Sequence, residues 1–310
     1  MDTLSTANTE FCLDVFKELN SNNVGDNIFF SPLSLLYALS MVLLGARGNS
    51  AEQMEKVLHF SHMTQSLKPE FKDSAKCSQA GRIHSEFGVL FSQINQPDSN
   101  YTLNMANRLY GTKAMVFHQG KSIIVEMMYQ TGTYKLAFIK EPQMQVLELP
   151  YVNNKLSMII LLPAGTASLE QIEKELNTKT FNEWTSSANM VEREVEVHIP
   201  RFKLEIKYEL KSLLNSLGMT DVFNEITADL SGISPVDGLY LSKVIHQSYV
   251  DVNEEGTEAA AATGDSFVVK RLPIRARFLA NHPFLFFIRL SHTNTILFCG
   301  KLASPLNKQA

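Results

Sequence analysis

The apolar residues near the start of the chain recur at the spacing of a helix. They predict an amphipathic helix over Asn8–Leu19, with its buried side formed by Phe11, Val15, Phe16 and Leu19. The run from Pro32 to Gly45 is apolar nearly all round, which predicts a helix buried in the centre of the fold. Ser31 is suited to cap that helix, Pro32 to occupy its first position and Gly45 to end it.

Later segments show the pattern of strands. Three apolar residues alternate with polar ones over 194–199 and predict a strand with one solvent-facing side: Val195, Val197 and Ile199 against Glu194, Glu196 and His198. A hairpin is predicted from Val146–Leu149 and Leu156–Leu162. Further strands are predicted at Thr102–Tyr110, Leu239–Val252, Leu285–Ile288 and Ile296–Phe298.

More helices are predicted between these strands. Residues Ser50 to Gln53 have the form of a capping box, which predicts a helix that runs to about Leu58. Two more helices are predicted at Leu169–Leu176 and Leu210–Leu217, and Gly218 ends the second of them. In contrast, residues 61–81 are polar and predict a surface loop.

The stretch from Glu254 to Arg277 differs from all of these patterns. Up to Thr263 it holds almost nothing large enough to fill a core. Numbered with the strand period of two, one face carries four small uncharged side chains: Thr257, Ala259, Ala261 and Thr263. Such a segment could slide between existing strands without a clash or an unpaired charge. The same letters are also typical of a short surface helix or a tolerant linker.

Composition and charge narrow the function. The 310 residues are 45% hydrophobic and 19% charged, as in an ordinary globular protein with a large core. The net charge of −4 argues against general nucleic-acid binding, and no apolar run has the length of a membrane span. We therefore expect neither a nucleic acid nor a membrane as a partner.

Location and redox state follow from the cysteines and the N-terminus. The first residues have neither a basic start nor an apolar stretch, so no secretory signal is expected. The three cysteines, Cys12, Cys77 and Cys299, are sparse and odd in number, which is typical of a reducing compartment. We expect a cytoplasmic protein, with leaderless release to the extracellular space left open.

Catalytic and metal-binding chemistry is not expected. His59 and His62 are three residues apart, but the local sequence completes no ligand set around them. The chain has no Gly-x-Ser-x-Gly elbow, no His-Glu-x-x-His pair and no phosphate-binding loop. We therefore expect no catalytic residues, no metal and no cofactor.

Two motifs carry a resemblance to a known family. Ten consecutive residues resemble the hinge of a serpin reactive-centre loop: Glu254, Glu255, Gly256, Thr257, Glu258, Ala259, Ala260, Ala261, Ala262 and Thr263. The segment from Phe278 to Ile288 resembles the family signature that follows that loop. The helix after Ser31 and the strand at Thr102–Tyr110 are similar to the family's second helix and to the second strand of its large sheet. The nearest branch is the ovalbumin-type, intracellular one (clade B).

The resemblance implies a fold and a mechanism. The fold is α+β, a single serpin domain over residues 1–310, with helices around a large mixed sheet and two smaller sheets. An exposed reactive-centre loop would span about 254–277. The implied function is that of a monomeric serine-type endopeptidase inhibitor and not of an enzyme. A target serine protease forms an acyl-enzyme with the loop, and the cut loop then inserts into the large sheet and distorts the protease.

The hinge also locates the bond to be cut. Counted inclusively, the fifteenth residue from Gly256 is Lys270, and that spacing in the family implies a reactive bond at Lys270-Arg271. A lysine at this position implies a trypsin-like serine protease as the partner. Arg271 offers a second cut one residue on.

The resemblance breaks between Gln119 and Lys121. Serpins carry a long segment here that includes a central strand of the large sheet, and this chain then lacks part of that sheet. The break is typical of exon skipping or a gene-model artefact. Thr102–Tyr110 would have to pair directly with Leu239–Val252. His246 stands where serpins often have a histidine that bonds to the missing strand. Because that partner is absent here, His246 is expected to have only a structural role.

Asp265 is a further departure, since it lies on the inward face of the loop. Its burial during insertion would cost roughly several kcal/mol unless the carboxyl is protonated or paired. Together with the missing strand, Asp265 favours a second hypothesis. In that hypothesis the chain is a non-inhibitory serpin-fold protein that a protease cleaves as a substrate.

Overall fold

The computed structural model describes residues 3–22, 24–61, 75–94, 126–151, 154–234, 238–253 and 275–305. Its α-helices in these ranges are α1 (Thr3–Asn22), α2 (Pro32–Gly45), α3 (Gly48–Val57), α4 (Ala75–Ile94), α5 (Leu169–Glu175), α6 (Thr178–Trp184) and α7 (Lys211–Ser216). Its strands are β1 (Ile28–Phe30), β2 (Met127–Ile139), β3 (Met144–Pro150), β4 (Leu156–Pro163), β5 (Val191–Pro200), β6 (Phe202–Glu209), β7 (Ile245–Val252), β8 (Ala276–Leu279), β9 (Phe284–Leu290) and β10 (Ile296–Leu302). No helix within the described ranges has the length and apolar character needed to span a bilayer.

The strands form one large mixed sheet and one small sheet. The large sheet has eight strands in the order β1-β10-β9-β4-β3-β2-β5-β8, and the small sheet pairs β6 with β7. All pairs are antiparallel except β5 with β8. The helices around one mixed and one antiparallel sheet confirm the predicted α+β class.

One long strand explains why the large sheet is continuous. β2 pairs with β5 from Met127 to Leu136 and with β3 from Lys135 to Ile139, so the two pairings overlap only at Lys135 and Leu136. The two smaller sheets that the sequence predicted are therefore joined through β2 into the eight-stranded sheet. The strand predicted for the loop-accepting large sheet, β7, lies instead in the two-stranded sheet. The predicted partner of β7 at Thr102–Tyr110 lies outside the described residues.

The strands β4 and β9 of the large sheet are buried on both faces, which explains their continuous apolar runs. Every residue of β4 and of β9 is buried. On one face, Ile159 and Phe287 pack in the same cluster as the apolar residues of α1 and α2. On the other face, Ile160 and Phe286 pack against Phe202 of β6.

The start of α2 is confirmed, and that of α3 is corrected. The Ser31 hydroxyl accepts a hydrogen bond from Ser34 N–H at 3.3 Å, and Pro32 is the first helical residue. In α3 the helix begins at Gly48, and no side chain caps it. Ser50 Oγ instead accepts from Asp229 N–H at 3.0 Å, so this serine ties α3 to a distant segment.

Gln53 was expected to complete the box at Ser50 and has a different role as well. Its Oε1 accepts from Thr220 N–H at 2.9 Å and from Asp221 N–H at 2.8 Å. The sequence has the pattern of a capping box, but the side chains of Ser50 and Gln53 bond to distant segments of the chain instead.

Two predicted boundaries were wrong. The predicted loop over 61–81 gives way to α4 from Ala75, because Ile83, Phe87 and Leu90 are spaced four and three apart on one buried side. The predicted strand Leu239–Val252 begins only at Ile245, since Leu241 N–H bonds to Val222 O, at 2.8 Å, instead of to a neighbouring strand.

The other described predictions are confirmed. The hairpin is β3 with β4, and the alternating segment is β5 with Val195, Val197 and Ile199 buried. The two short helices are α5 and α7, and Gly218 follows α7 with φ +107°. The strands predicted at Leu285–Ile288 and Ile296–Phe298 lie within β9 and β10.

A buried ion pair fastens the C-terminal strand to two helices. Lys301 Nζ of β10 lies 2.7 Å from Glu173 Oε1 of α5 and donates to Asn20 Oδ1 of α1 at 2.7 Å. Asn20 Nδ2 donates in turn to the other Glu173 oxygen at 2.9 Å. Both charged side chains are less than 10% exposed, so neither can exchange its partner for water.

We predict that Lys301→Met lowers the free energy of unfolding by about 3–5 kcal/mol, because it leaves the Glu173 carboxylate buried and unpaired. Urea denaturation measures this loss. The matched control is Lys174→Met, which breaks the exposed pair with Glu170 and should cost less than about 1 kcal/mol. Equal losses in the two variants would contradict the prediction.

Candidate functional site

The predicted site residues all fall outside the described ranges. This holds for the hinge Glu254–Thr263, for Asp265 and for the predicted reactive bond Lys270-Arg271. The structure describes the chain on both sides of them, up to Asn253 and again from Arg275. The candidate site is therefore defined by the two strands that flank the predicted loop.

The N-terminal flank is β7, which pairs with β6 over its whole length. Phe202 lies opposite Val252, and Glu209 lies opposite Ile245. On the solvent side, Lys203 Nζ lies 2.7 Å from Asp251 Oδ2 and Gln247 Nε2 donates to Glu205 at 2.9 Å. Within the described ranges, β7 is paired along this edge only.

Three hydrogen bonds tie the β6–β7 sheet to β1 and to the start of α2. Ser31 N–H donates to His246 Nε2 at 2.9 Å. Ser248 Oγ donates to Phe29 O at 2.8 Å, and Phe29 N–H donates to the Tyr208 hydroxyl at 3.2 Å. We call these residues the Phe29–His246 bridge. It joins the small sheet, through β1, to the edge of the large one.

His246 is the most constrained member of the Phe29–His246 bridge. This residue is only 3% exposed. Because Nε2 accepts a hydrogen bond, the neutral ring carries its proton on Nδ1. That Nδ1 has no hydrogen-bond partner among the described residues. Burial lowers the pKa of His246 from 6.5 to about 4.

The structural role that the sequence analysis gave His246 agrees with this geometry. The residue it serves, Ser31, was predicted as a helix cap and also bonds to a strand 215 positions later. Sequence spacing carried no signal for that contact. An unpaired buried donor of this kind costs about 1–3 kcal/mol.

The C-terminal flank is β8, which runs parallel to β5 in the large sheet. Ala276 lies opposite Val195, and Ala280 N–H donates to His198 O at 2.9 Å. From β3, Gln145 Nε2 donates to Arg277 O at 3.1 Å. The return of the predicted loop is therefore held from two sides by backbone and side-chain hydrogen bonds.

The signature segment Phe278–Ile288 is buried or half-buried except at the exposed residues 281–283. Phe278, Phe284, Phe286 and Phe287 are at most 1% exposed. His282 Nε2 lies 2.8 Å from Pro163 O at the end of β4. These residues bury the segment that follows the predicted loop, which gives a physical reason for their apolar character.

His59 has carboxylate neighbours that sequence spacing did not predict. Its Nε2 lies 2.7 Å from Asp14 Oδ2, and its Nδ1 lies 3.2 Å from Glu10 Oε2, both on α1. The hydrogen bond with Asp14 raises the pKa of His59, against the effect of partial burial. Across the described part of the chain, no group of His, Cys, Asp and Glu is arranged to hold a metal, and His62 lies outside it.

Sequence comparison assigns this architecture to a class. The chain matches the serpin (serine protease inhibitor) family over residues 6–120 and 112–305 and belongs to that family. The family is one of protease inhibitors and not of catalytic enzymes.

Particular relatives then place it in the ovalbumin-type branch. Serpin B11 of Homo sapiens is 62% identical over 392 residues, 98% of this chain and 100% of that protein. The leukocyte elastase inhibitor of Xenopus tropicalis is 38% identical, with the same shares covered. Among solved structures, uncleaved ovalbumin is 30% identical with a TM-score of 0.77, over 98% of this chain and 100% of that one.

The comparisons also locate a deletion. The alignment with Serpin B11 spans 392 positions against 310 residues in this chain, so at least 82 positions have no counterpart here. The two segments matched to the family overlap at 112–120. The break falls where the sequence resemblance was interrupted, near Gln119.

We predict that His246 makes stability fall as the pH is lowered from 7 to 5. The unfolded ring takes a proton near pH 6.5, while the folded ring stays neutral to about pH 4. Lowering the pH across this window therefore favours the unfolded state by about 2 kcal/mol. In urea denaturation, the wild type should lose about 2 kcal/mol more than His246→Gln between these two pH values.

His198→Gln is the control for this measurement, because His198 lies on β5, outside the Phe29–His246 bridge. His59 has a raised pKa and contributes stability of the opposite sign. That contribution is common to all three proteins and cancels in the comparison. Parallel pH profiles for the wild type and His246→Gln would refute the role of His246.

Proposed function

We propose that the chain is a serine-type endopeptidase inhibitor that traps trypsin-like proteases through a cleaved loop. The reactive bond is Lys270-Arg271, in a loop over about 254–277 of a single serpin domain. One observation carries the proposal: the two flanks of this segment are anchored in different sheets. Val252 is paired in the small sheet, and Ala276 is paired in the large sheet.

This arrangement supports a trap because cleavage would free one arm from the other. After a cut at Lys270, the N-terminal arm stays attached to β7 and the C-terminal arm to β8. The second edge of β7 has no partner within the described ranges. An unpaired strand edge is a template for an added strand, and the hinge Glu254–Thr263 supplies side chains small enough to enter.

The specificity proposed here rests on Lys270. A lysine side chain complements an acidic specificity pocket, as in trypsin-like proteases. The relative named leukocyte elastase inhibitor carries an elastase in its name. We propose a different protease class for this chain, because the residue at the proposed cut is cationic. We also propose a monomer in the cytoplasm, with leaderless release.

A second candidate function is that of a serpin-fold substrate that is cut without trapping. Two observations favour it: at least 82 aligned positions are absent from the chain, and His246 Nδ1 is buried without a described partner. Both concern the sheet that would receive the loop. Slow insertion into that sheet would let the acyl-enzyme hydrolyse first.

Incubation with trypsin distinguishes the two functions. We predict a covalent complex that survives denaturing electrophoresis, together with loop cleavage at Lys270. Lys270→Ala combined with Arg271→Ala should abolish the complex, while the exposed Lys140→Ala control should form it as the wild type does. Cleavage at Lys270 without any complex would favour the substrate. An uncut loop would eliminate both functions.

We further predict that Asp265→Leu raises the ratio of trapped complex to cleaved product. The carboxylate of Asp265 would be buried late in insertion, at several kcal/mol, and its removal speeds that step. Ser266→Ala is the matched control, because period-two alternation places Ser266 on the outward face. The two ratios are read from one denaturing gel. A ratio unchanged by Asp265→Leu would reject the proposed insertion step.

A further inference from the structure

The two arms of the proposed loop differ greatly in length. Five peptide units separate Lys270 from Arg275, so their Cα atoms are at most about 18 Å apart. Seventeen units separate Asn253 from Lys270, which allows up to about 60 Å. The short C-terminal arm therefore limits where the reactive bond can lie more tightly than the long N-terminal arm does.

The anchor of the short arm is a contact across three strands. Arg275 Nε, directly before β8, lies 3.7 Å from Glu194 Oε2 on β5. The other carboxylate oxygen, Glu194 Oε1, accepts from the Thr133 hydroxyl on β2 at 3.2 Å. Thr133 and Glu194 are directly opposite each other in the β2–β5 ladder. We call Thr133, Glu194 and Arg275 the three-strand clasp.

The three-strand clasp also occupies a side chain that a trypsin-like protease would accept. The bond after Arg275 is the next cationic cleavage point beyond Lys270-Arg271. The Arg275 side chain is 36% exposed and remains accessible from solvent. To enter an acidic specificity pocket, its guanidinium must leave Glu194. Arg277, two residues on, is held within the β5–β8 ladder opposite Glu196.

We propose that Glu194 is a positioning residue. By holding the Arg275 guanidinium in an ion pair, it keeps Arg275 out of the specificity pocket and so directs the target protease to Lys270. The inference rests on the proposed function and adds a determinant of specificity outside the loop. Loss of the clasp would have two effects. The short arm would lose its contact at Arg275, and the bond after Arg275 would become a competing cleavage site five residues beyond Lys270.

The test is the rate of cleavage after Arg275, measured by mass spectrometry during limited trypsin digestion of the full chain. We expect Glu194→Gln to raise that rate about threefold to fivefold, as for loss of one partly exposed ion pair. Thr133→Val should raise it less, since it only loosens Glu194. A normal rate in both variants would overturn the inference.

Glu192→Gln is the matched control, because Glu192 lies on the same side of β5, two residues from Glu194, and is opposite Lys135 in the β2–β5 ladder. A general loosening of the strand would raise the rate in this variant too, and equal rates in the two variants would also overturn the inference. Cleavage after Lys270 is scored in the same digest. Its absence in the wild type contradicts the proposed function, whereas the rate after Arg275 reports on the clasp independently.

Discussion

The Phe29–His246 bridge is the contact on which the arrangement of the two sheets depends. Burial of apolar surface drives the sheets together, but it has little directional preference. The three hydrogen bonds of the bridge supply direction, because each joins a backbone group of β1 or Ser31 to one side chain of β6 or β7. They place the strand that leads into the proposed loop on the N-terminus of the central helix α2.

The deletion affects the two sheets unequally. Nine of the ten described strands lie after residue 126, beyond the break, and β1 lies well before it. The eight-stranded sheet therefore forms from described strands on either side of the break, and every residue of its central strands β4 and β9 is buried. In the β6–β7 sheet, by contrast, His246 Nδ1 is buried without a described partner. Likeness to ovalbumin at a TM-score of 0.77 is compatible with such a local loss.

The sequence correctly predicted elements that depend on neighbouring residues. It did not predict the contacts that depend on residues far away in the chain. Ser31 and Pro32 start α2 as expected, because a cap needs only the following turn. Ser50 has the same local signal, yet its hydroxyl serves Asp229. The contact of Ser31 with His246 spans 215 positions, and no periodicity encodes such a partner. The loop residues, from Glu254 to Arg271, came from resemblance alone, because small side chains are equally typical of a linker.

The outer edge of β7 decides between a trap and a substrate. The rearrangement expected from the sequence would pair Thr102–Tyr110 with that edge, and the proposed mechanism needs the same edge for the cleaved loop. One edge holds one strand, since each backbone N–H and C=O of an antiparallel ladder has a single partner across it. If Thr102–Tyr110 occupies the edge, the loop must displace a strand that is already paired. Insertion is then slower, and the acyl-enzyme hydrolyses before the protease is trapped. If the edge is free, insertion meets no such barrier. The disadvantage is then that the exposed edge can pair with strands of other chains.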